Sequence, residues 1–490
     1  MAINLQTPEV EIRENRLNSV LSYQGSAKDL CAKSAQRLLP CRDNSFNQCG
    51  DCSAQRAFLH IAQIRDTAVV NHGPIGCAGD FAIFNAQFRG GCRSKGYPVE
   101  NIRALSTNLQ ERDTVYGGGE KLAETIREAY RRFHPKAIFV NTSCASGIIG
   151  DDIDGVVDAA EKELGIPIVP IYCEGFKSQV WTTGFDAAFH GILRKIVKPP
   201  KEKRADLITI FNFVNEDVFT PLLAKIGLKA KCLVVHSSIE ELERISEAAA
   251  TSHICETLGT YIAKGLEQEY GVPEIKSPPP FGFAWTDAWL REIGKITHKE
   301  KEVEALIQSE REHVEQELAE LRKKLEGKTA YIVAGASFGH SILSMARDLG
   351  IEVVGITGFH HDQRFDNEDD RINSLKNAIT CAGDIQNYHV CNKQPYQLIN
   401  IIRALKPDLL LARHDNMVIL GTKLGIPSVY VDDANLAVGY AGVINTGRKI
   451  IQVMQTKNFI KNIAKHVKFP YTDWWYQQDP FAFQRGELGE

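Results

Sequence analysis

From about Ala54 onward the chain alternates short apolar runs with amphipathic stretches. Residues 137–140 (AIFV) follow a helical pattern over 120–133, and residues 166–172 (IPIVPIY) follow another over 156–164. Parallel strands cannot be joined by tight hairpins, because each return needs a crossover, usually a helix. Repeated strand–helix alternation therefore predicts an α/β fold with doubly wound parallel sheets. The stretch 197–204 (VKPPKEKR) reads as a linker, and a second set of apolar runs begins at 206–213 and 231–236. Residues 297–327 are highly charged. Val303, Leu306, Ile307, Val314, Leu318 and Leu321 recur there at helical spacing, which predicts a long solvated helix ending at Gly327. A third set of runs lies at 329–334, 352–357, 408–411 and 426–431. The resulting division is an irregular segment over 1–50 and three Rossmann-like α/β domains at 51–204, 205–327 and 328–490.

Composition narrows the class. The 490 residues are 43% hydrophobic and 24% charged, ordinary for a water-soluble globular chain with large cores. A net charge of −4 gives no support for a nucleic-acid or anionic-membrane surface. The first fifteen residues lack the apolar core of a signal peptide, and no run of about 18 apolar residues occurs. The expectation is a cytoplasmic chain. Disulfides are rare there, so metal ligation is the better use for some of the twelve cysteines.

Three cysteines stand out. Cys77 closes HGPIGC (72–77), Cys144 opens CASGIIGDD (144–152), and Cys52 lies in DCSAQRA (51–57). Successive members are 25 and 67 residues apart, unlike the tight CxxC pairs of small zinc sites or ferredoxins. Each sits beside glycine or on backbone able to approach something closely. Three widely spaced thiolates cannot fill a large iron–sulfur cluster; a homologous partner chain could supply the rest, and the pattern suggests a cluster bridged across a subunit interface. A fourth cysteine, Cys255, ends the apolar-to-polar run TSHIC (251–255) and precedes a helical stretch, the place where α/β folds present ligands.

These residues carry a resemblance. DCSAQRA, NHGPIGC (71–77), NTSCASGIIGDDI (141–153), IVPIYCEGF (168–176), ICETLGTYIAKGLEQEYGVP (254–273) and GYAG (439–442) are similar to strings of nitrogenase component 1 alpha-type subunits. The likeness runs from about Cys49 to about Val453. It implies the three-domain fold of that family. It also implies that Cys52, Cys77 and Cys144 bind a P-cluster-type 8Fe-7S iron–sulfur cluster shared with a homologous beta-type subunit. Cys255 would bind a large nitrogenase-type iron–sulfur(-carbide) cofactor, its heterometal left open. Two such pairs would form an alpha2beta2 heterotetramer. A separate ATP-dependent iron–sulfur reductase homodimer would deliver electrons, because this chain has no GxxxxGK[ST] phosphate loop.

The departures from the family pattern matter as much. Trp181 and Phe185 stand where nitrogenase places glutamine and histidine, and Asn85 stands where it has arginine. No histidine precedes GYAG over 426–438, where the family has its second cofactor ligand. His340, His360, His361 and His414 could form an imidazole wall instead, with His361 the candidate for cofactor binding. Phe281, Phe283, Trp285 and Trp289 are either core or, with Trp181 and Phe185, an apolar cavity for small hydrophobic molecules. Within the family the chain resembles the catalytic subunit of methylthio-alkane reductase. That implies C–S bond cleavage in small volatile organic sulfur compounds. A cofactor-assembly scaffold is the alternative, and a dinitrogen reductase a second. Cys31, Cys41, Cys49, Cys92, Cys173, Cys232, Cys381 and Cys391 are expected to ligate nothing.

Overall fold

The computed structural model describes residues 3–39, 52–211, 218–391, 395–431, 437–480 and 482; Cys41 and Cys49 lie outside them. The chain forms two compact units. The first comprises Met1–Arg16, Gly50–Ile254 and Leu258–Ile275; the second comprises Leu17–Cys49, Cys255–Thr257 and Lys276–Glu490. Among the described residues no helix is long and apolar enough to cross a membrane.

The first unit holds two parallel sheets. Its N-terminal half runs α1 (Ser53–Ala62), β1 (Thr67–His72), α2 (Phe81–Ser94), β2 (Ala104–Ser106), α3 (Gly119–Phe133), β3 (Ala137–Thr142), α4 (Cys144–Ile149), α5 (Ile153–Leu164), β4 (Ile168–Ile171) and α6 (Thr183–Lys195). The strands order as β2-β1-β3-β4, all parallel. Every residue of β1 and β3 is buried, because helices cover both faces and leave no side for polar residues. On one face Ala68, Val70, Ile138 and Val140 meet Leu122, Ile126 and Ala129 of α3 and Ile153, Val157 and Ala160 of α5. Those helix positions are three or four residues apart, the spacing of a single apolar stripe. Helix α1 packs on the same two strands.

The second sheet of this unit orders as β6-β5-β7, from β5 (Arg204–Phe211), α7 (Phe219–Ala224), β6 (Lys229–Leu233), β7 (Ala248–His253) and α8 (Glu256–Tyr270). The apolar run 231–236 does not continue as strand. Val234 and His236 adopt left-handed backbone, φ 69° and 60°. His236 is held there by its N–H on the Gln63 carbonyl at 2.8 Å and by Arg65 Nε donating to its own carbonyl at 2.7 Å.

The second unit runs α9 (Phe283–Thr297), α10 (Glu300–Leu325), β8 (Thr329–Ala334), α11 (Ala336–Asp348), β9 (Glu352–Gly358), α12 (Ser374–Ala382), β10 (Tyr388–Cys391), α13 (Pro395–Leu405), β11 (Leu409–Ala412), α14 (Asp415–Lys423), β12 (Ser428–Tyr430) and α15 (Gly439–Gln455). Its sheet orders as β12-β11-β8-β9-β10, parallel throughout. The charged helix forms as expected. Val303, Leu306, Ile307, Val314, Leu318 and Leu321 are its buried stripe, and Gly327 follows it with φ 69°.

Part of the segment expected to be irregular is ordered. The strand Ser22–Gly25 pairs antiparallel with β10, and the helix Ala27–Ala35 follows, capped by the Ser26 side chain accepting from Asp29 N–H. Four polar residues (SYQG) carry no periodic signal; their register comes from β10. Residues 3–16 belong to the first unit instead. Glu14 accepts from Ser178 Oγ and Val180 N–H. Arg13 donates to the Asp186 carboxylate from Nη2 at 2.6 Å and from Nε at 3.2 Å, and Arg16 binds the same carboxylate.

Asp186 is fully buried on α6, so its removal strands two guanidinium charges away from water. Asp186→Ala is expected to cost about 3–5 kcal/mol and to expose residues 1–16 to protease. Denaturant midpoint and limited proteolysis measure both; an unchanged midpoint with an uncut terminus would contradict the pairing.

Candidate functional site

Strand order places the three cysteines. β1 is followed by a connection to β2 on one side, whereas β3 is followed by a connection to β4 on the other. The carboxyl ends of these neighbouring strands therefore border a crevice, the topological switch point where open α/β sheets take ligands. Cys77 lies on the turn Ile75–Ala78 after β1, and Cys144 opens α4 after β3. Cys52 heads α1, the helix packed on both strands. Burial first, then the neighbouring thiols of Cys144 and Cys52, push the Cys77 thiol above its ordinary range. All three sulfur-bearing residues are half-buried, unlike the enclosed Cys92, Cys173 and Cys255.

Glycine clears the space around them. A Cβ on Gly175 would overlap the Cys52 sulfur and sit 3.5 Å from that of Cys144. A Cβ on Gly73 would sit 2.5 Å from Ser143 Oγ, so the two ligand loops meet without side chains between them. Behind them His72 bridges Asp151 (2.8 Å) and Thr107 (3.2 Å), tying the β1 loop to the loop after α4. Among the described residues no three His, Cys, Asp or Glu side chains close on a single-ion position. Three thiols around a side-chain-free gap suit one face of an extended cluster, and soft thiolate sulfur suits iron. Apolar side chains are exposed nearby in sequence: Ile75 on the Cys77 turn at 63%, Ile148 on the Cys144 helix at 72% and Phe176 beside Gly175 at 56% exposure.

Trp181 and Phe185 are brought together on the same unit. Their rings lie 5.8 Å apart, with the Arg56 guanidinium 5.0 Å above Trp181. Helices α1 and α6 cross here without a spacer, because a Cβ on Gly184 would overlap the Ser53 carbonyl and lie 2.7 Å from Ala57 N. The crossing sets the Phe185 ring edge-on to His60 at 4.1 Å. Sequence reading missed His60; the available signal was one histidine inside the apolar run AFLHIA.

Cys255, Glu256 and Thr257 belong to the second unit, and Cys255 is buried. Its neighbour Glu256, also missed, accepts from Ser374 N–H and Oγ. Burial pushes its carboxyl up to about 8, with those hydrogen bonds opposing. His340 Nδ1 lies 2.6 Å from Ser374 Oγ and its Nε2 lies 2.7 Å from the Tyr388 hydroxyl. Burial holds this imidazole neutral, its pKa pushed down to about 3. A neutral ring has one donor and one acceptor, which orders the chain as Tyr388 O–H to Nε2, Nδ1–H to Ser374, and Ser374 to Glu256.

The other candidate imidazoles are distributed around this chain. His361 Nε2 is taken by Asp366 at 2.7 Å, which leaves only Nδ1 for a ligand. His360 Nε2 is buried, 3.5 Å from Asp362 and without a hydrogen bond. His414 packs against Phe359 at 5.0 Å. Phe281, Phe283, Trp285 and Trp289 are buried, with Phe281 edge-on to Phe338 and Phe283 to Tyr440, so they are core. Gly335 of GASFGH has no atom within 4 Å of a Cβ, so no close backbone approach requires glycine there.

The chain is similar to known proteins in sequence and fold. Residues 52–455 match the family described as Nitrogenase component 1 type Oxidoreductase. The nitrogenase iron-molybdenum cofactor biosynthesis protein NifE of Methanococcus maripaludis is 29% identical over 467 residues, covering 90% of this chain and 92% of that protein. NifE of Clostridium pasteurianum is 30% identical, covering 91% and 96%. The nitrogenase molybdenum-iron protein alpha chain of Clostridium pasteurianum is 32% identical over 326 residues, 63% of this chain and 59% of that one. The solved structure of nitrogenase Cp1 at pH 5 aligns with a TM-score of 0.69 at 26% identity, covering 87% and 91%.

Gly175→Ala is expected to push the Cys52 sulfur aside and to lower the iron and acid-labile sulfide of the anaerobically purified protein. Gly76→Ala, beside Cys77 but with no atom within 4 Å of the added methyl, is expected to leave both unchanged. Equal iron in the two variants would show that the gap above Gly175 holds nothing.

Proposed function

Because the chain belongs to the nitrogenase component 1 type oxidoreductase family, we propose that it is the alpha-type subunit of a heteromeric iron–sulfur complex. Cys52, Cys77 and Cys144 hold one side of a P-cluster-type 8Fe-7S cluster, and a homologous beta-type subunit holds the other. The supporting observation is that three half-buried thiols gather at the sheet's switch point, with exposed Ile75 on the Cys77 turn, Ile148 on the Cys144 helix and Phe176 beside Gly175. Exposed apolar side chains beside ligand loops lose water against a partner, not against their own core.

Cys255 is the thiolate for a large iron–sulfur group, with His361 of the same unit as a further contact. When bound, such a group supplies low-potential electrons at a metal–sulfur surface. The chain contributes the anionic sulfur ligand and a buried acid, Glu256, kept neutral beside the thiolate. In an alpha2beta2 assembly a separate ATP-hydrolysing iron–sulfur homodimer would dock and pass single electrons.

The role best supported is that of a cofactor-assembly scaffold. Relatives named for iron-molybdenum cofactor biosynthesis match about nine-tenths of the chain. Trp181, Phe185 and Asn85 also remove the polar side chains the family resemblance associates with dinitrogen reduction. The large cluster is then cargo, bound through Cys255 and handed on. One observation favours a second role, reductive cleavage of methylthio-alkanes. The half-buried Trp181 ring, backed by the buried Phe185 ring 5.8 Å away, gives a small thioether an apolar side chain to meet. That reaction takes two electrons and two protons to break one C–S bond, giving a hydrocarbon and methanethiol.

Cys255→Ala in the complex is expected to lose about half of the iron while the interface-cluster resonance persists in electron paramagnetic resonance. Mixing the wild-type complex with a cofactor-free nitrogenase component 1 then separates the roles. Transfer of iron and gain of activity by the recipient support the scaffold. Retention of iron with methanethiol release from a thioether, given reductase and ATP, supports the second role. No iron loss in Cys255→Ala would exclude both.

A further inference from the structure

The sulfurs of Cys52 and Cys144 meet over one glycine. A methyl on Gly175 would overlap the Cys52 sulfur, and it would stand 3.5 Å from the Cys144 sulfur and 3.9 Å from the Cys52 Cβ. The two sulfurs are therefore at most about 6 Å apart, with no side chain on Gly175 to separate them. Turning a cysteine from one staggered well to the next moves its sulfur by about 3 Å. Side-chain rotation at both residues is enough to close the gap to a sulfur–sulfur bond of about 2 Å. The fold itself keeps the pair together: Cys144 follows β3 directly, and α1, which Cys52 heads, packs on β3.

Exposure makes the pair selective. Cys52 and Cys144 are both half-buried, so a small solute reaches either sulfur. Cys173 also lies near Cys52, but it is 5% exposed and burial pushes its thiol up. Cys77 sits on the separate turn Ile75–Ala78, and its sulfur is not among the three atoms nearest the Gly175 position. Two thiols joined to each other have no thiolate to give to iron, because the thiolate is the metal ligand. Disulfides in a reducing compartment are usually transient and redox-sensing, which suits a bond that forms only where a cluster is not yet held.

We propose that Cys52 and Cys144 are a redox-modified pair: before cluster loading they close a disulfide over Gly175, and its reduction opens the site to iron. This rests on the reading of Cys52, Cys77 and Cys144 as cluster ligands given above. The oxidant is a small-molecule disulfide. One cysteine displaces half of it as a free thiol and forms a mixed disulfide; the second cysteine then displaces the other half. The cysteine sulfurs together lose two electrons, the small-molecule disulfide gains two, and both S–H protons leave on the two released thiols. A dithiol reverses the step by the same exchange. Cys77 remains a thiol throughout.

The test uses the full-length chain, purified without oxygen and freed of iron with a chelator and dithiothreitol. Wild type, Cys77→Ser and Gly175→Ala are exposed to glutathione disulfide, alkylated, digested and read by mass spectrometry. Wild type and Cys77→Ser are expected to yield peptides joined through Cys52 and Cys144, with Cys77 alkylated in the wild type. Gly175→Ala, whose methyl stands between the two sulfurs, is expected to yield far less of the joined pair; Cys77→Ser decides the pairing if that variant does not accumulate. Oxidised wild type, offered ferrous iron and sulfide, is expected to take up about threefold less iron than the reduced chain, and dithiothreitol to restore the uptake. Alkylation of both Cys52 and Cys144, or joining through Cys77 or Cys173 instead, overturns the pair. A joined pair with undiminished iron uptake overturns its control of loading. A separate arm alkylates the iron-loaded protein: Cys52, Cys77 and Cys144 are expected to be protected until iron is removed. Equal alkylation with and without iron overturns the cluster reading, and the control of loading with it.

Discussion

The parallel pairing of β1 with β3 positions the cysteine-bearing segments of the first unit. Their register, Thr67 opposite Ala137 through His72 opposite Thr142, brings both carboxyl ends to the same level. The connections then leave in opposite directions, so the loops bearing Cys77 and Cys144 open toward each other instead of packing over the sheet. Burial on both faces keeps that register fixed, because a slip by one residue would move Val70 and Val140 out of the core they share with α3 and α5. Cys52 joins the pair only because α1 packs on the same two strands.

Glycine sets how closely the pieces approach. At Gly175, Gly73 and Gly184 a single methyl group would overlap or crowd a cysteine sulfur, a ligand-loop serine or a helix backbone. These contacts are of different kinds. The first leaves room for sulfur, the second brings two loops together, and the third locks α1 against α6. Close-packed interiors cannot yield by that much, so each position is restricted to hydrogen.

Buried polar groups divide into satisfied and unsatisfied sets. Arg13 and Arg16 share the buried Asp186 carboxylate and fasten the N-terminal segment. Tyr388, His340, Ser374 and Glu256 form an ordered chain that ends next to Cys255. His60 has no such partner, and His360 Nε2 none within hydrogen-bonding geometry.

The α/β class, the three sets of parallel strands and the charged helix α10 were legible in the sequence. Each depends on local periodicity that survives in one dimension: near-continuous apolar runs in β1 and β3, and the stripe from Val303 to Leu321. The cysteines were legible as well, because the turns that present them need glycine and proline at fixed offsets. The strand Ser22–Gly25, the left-handed turn at Val234 and His236, the commitment of His361 to Asp366, and the isolation of His60 were not. Their causes lie in residues tens to hundreds of positions away, brought near only by folding. Sequence determined which segments could be strands, helices and ligand loops, since those follow from neighbours along the chain. Tertiary structure decided which thiols share a crevice and which imidazoles remain free, since hydrogen bonds and burial are set by neighbours in space.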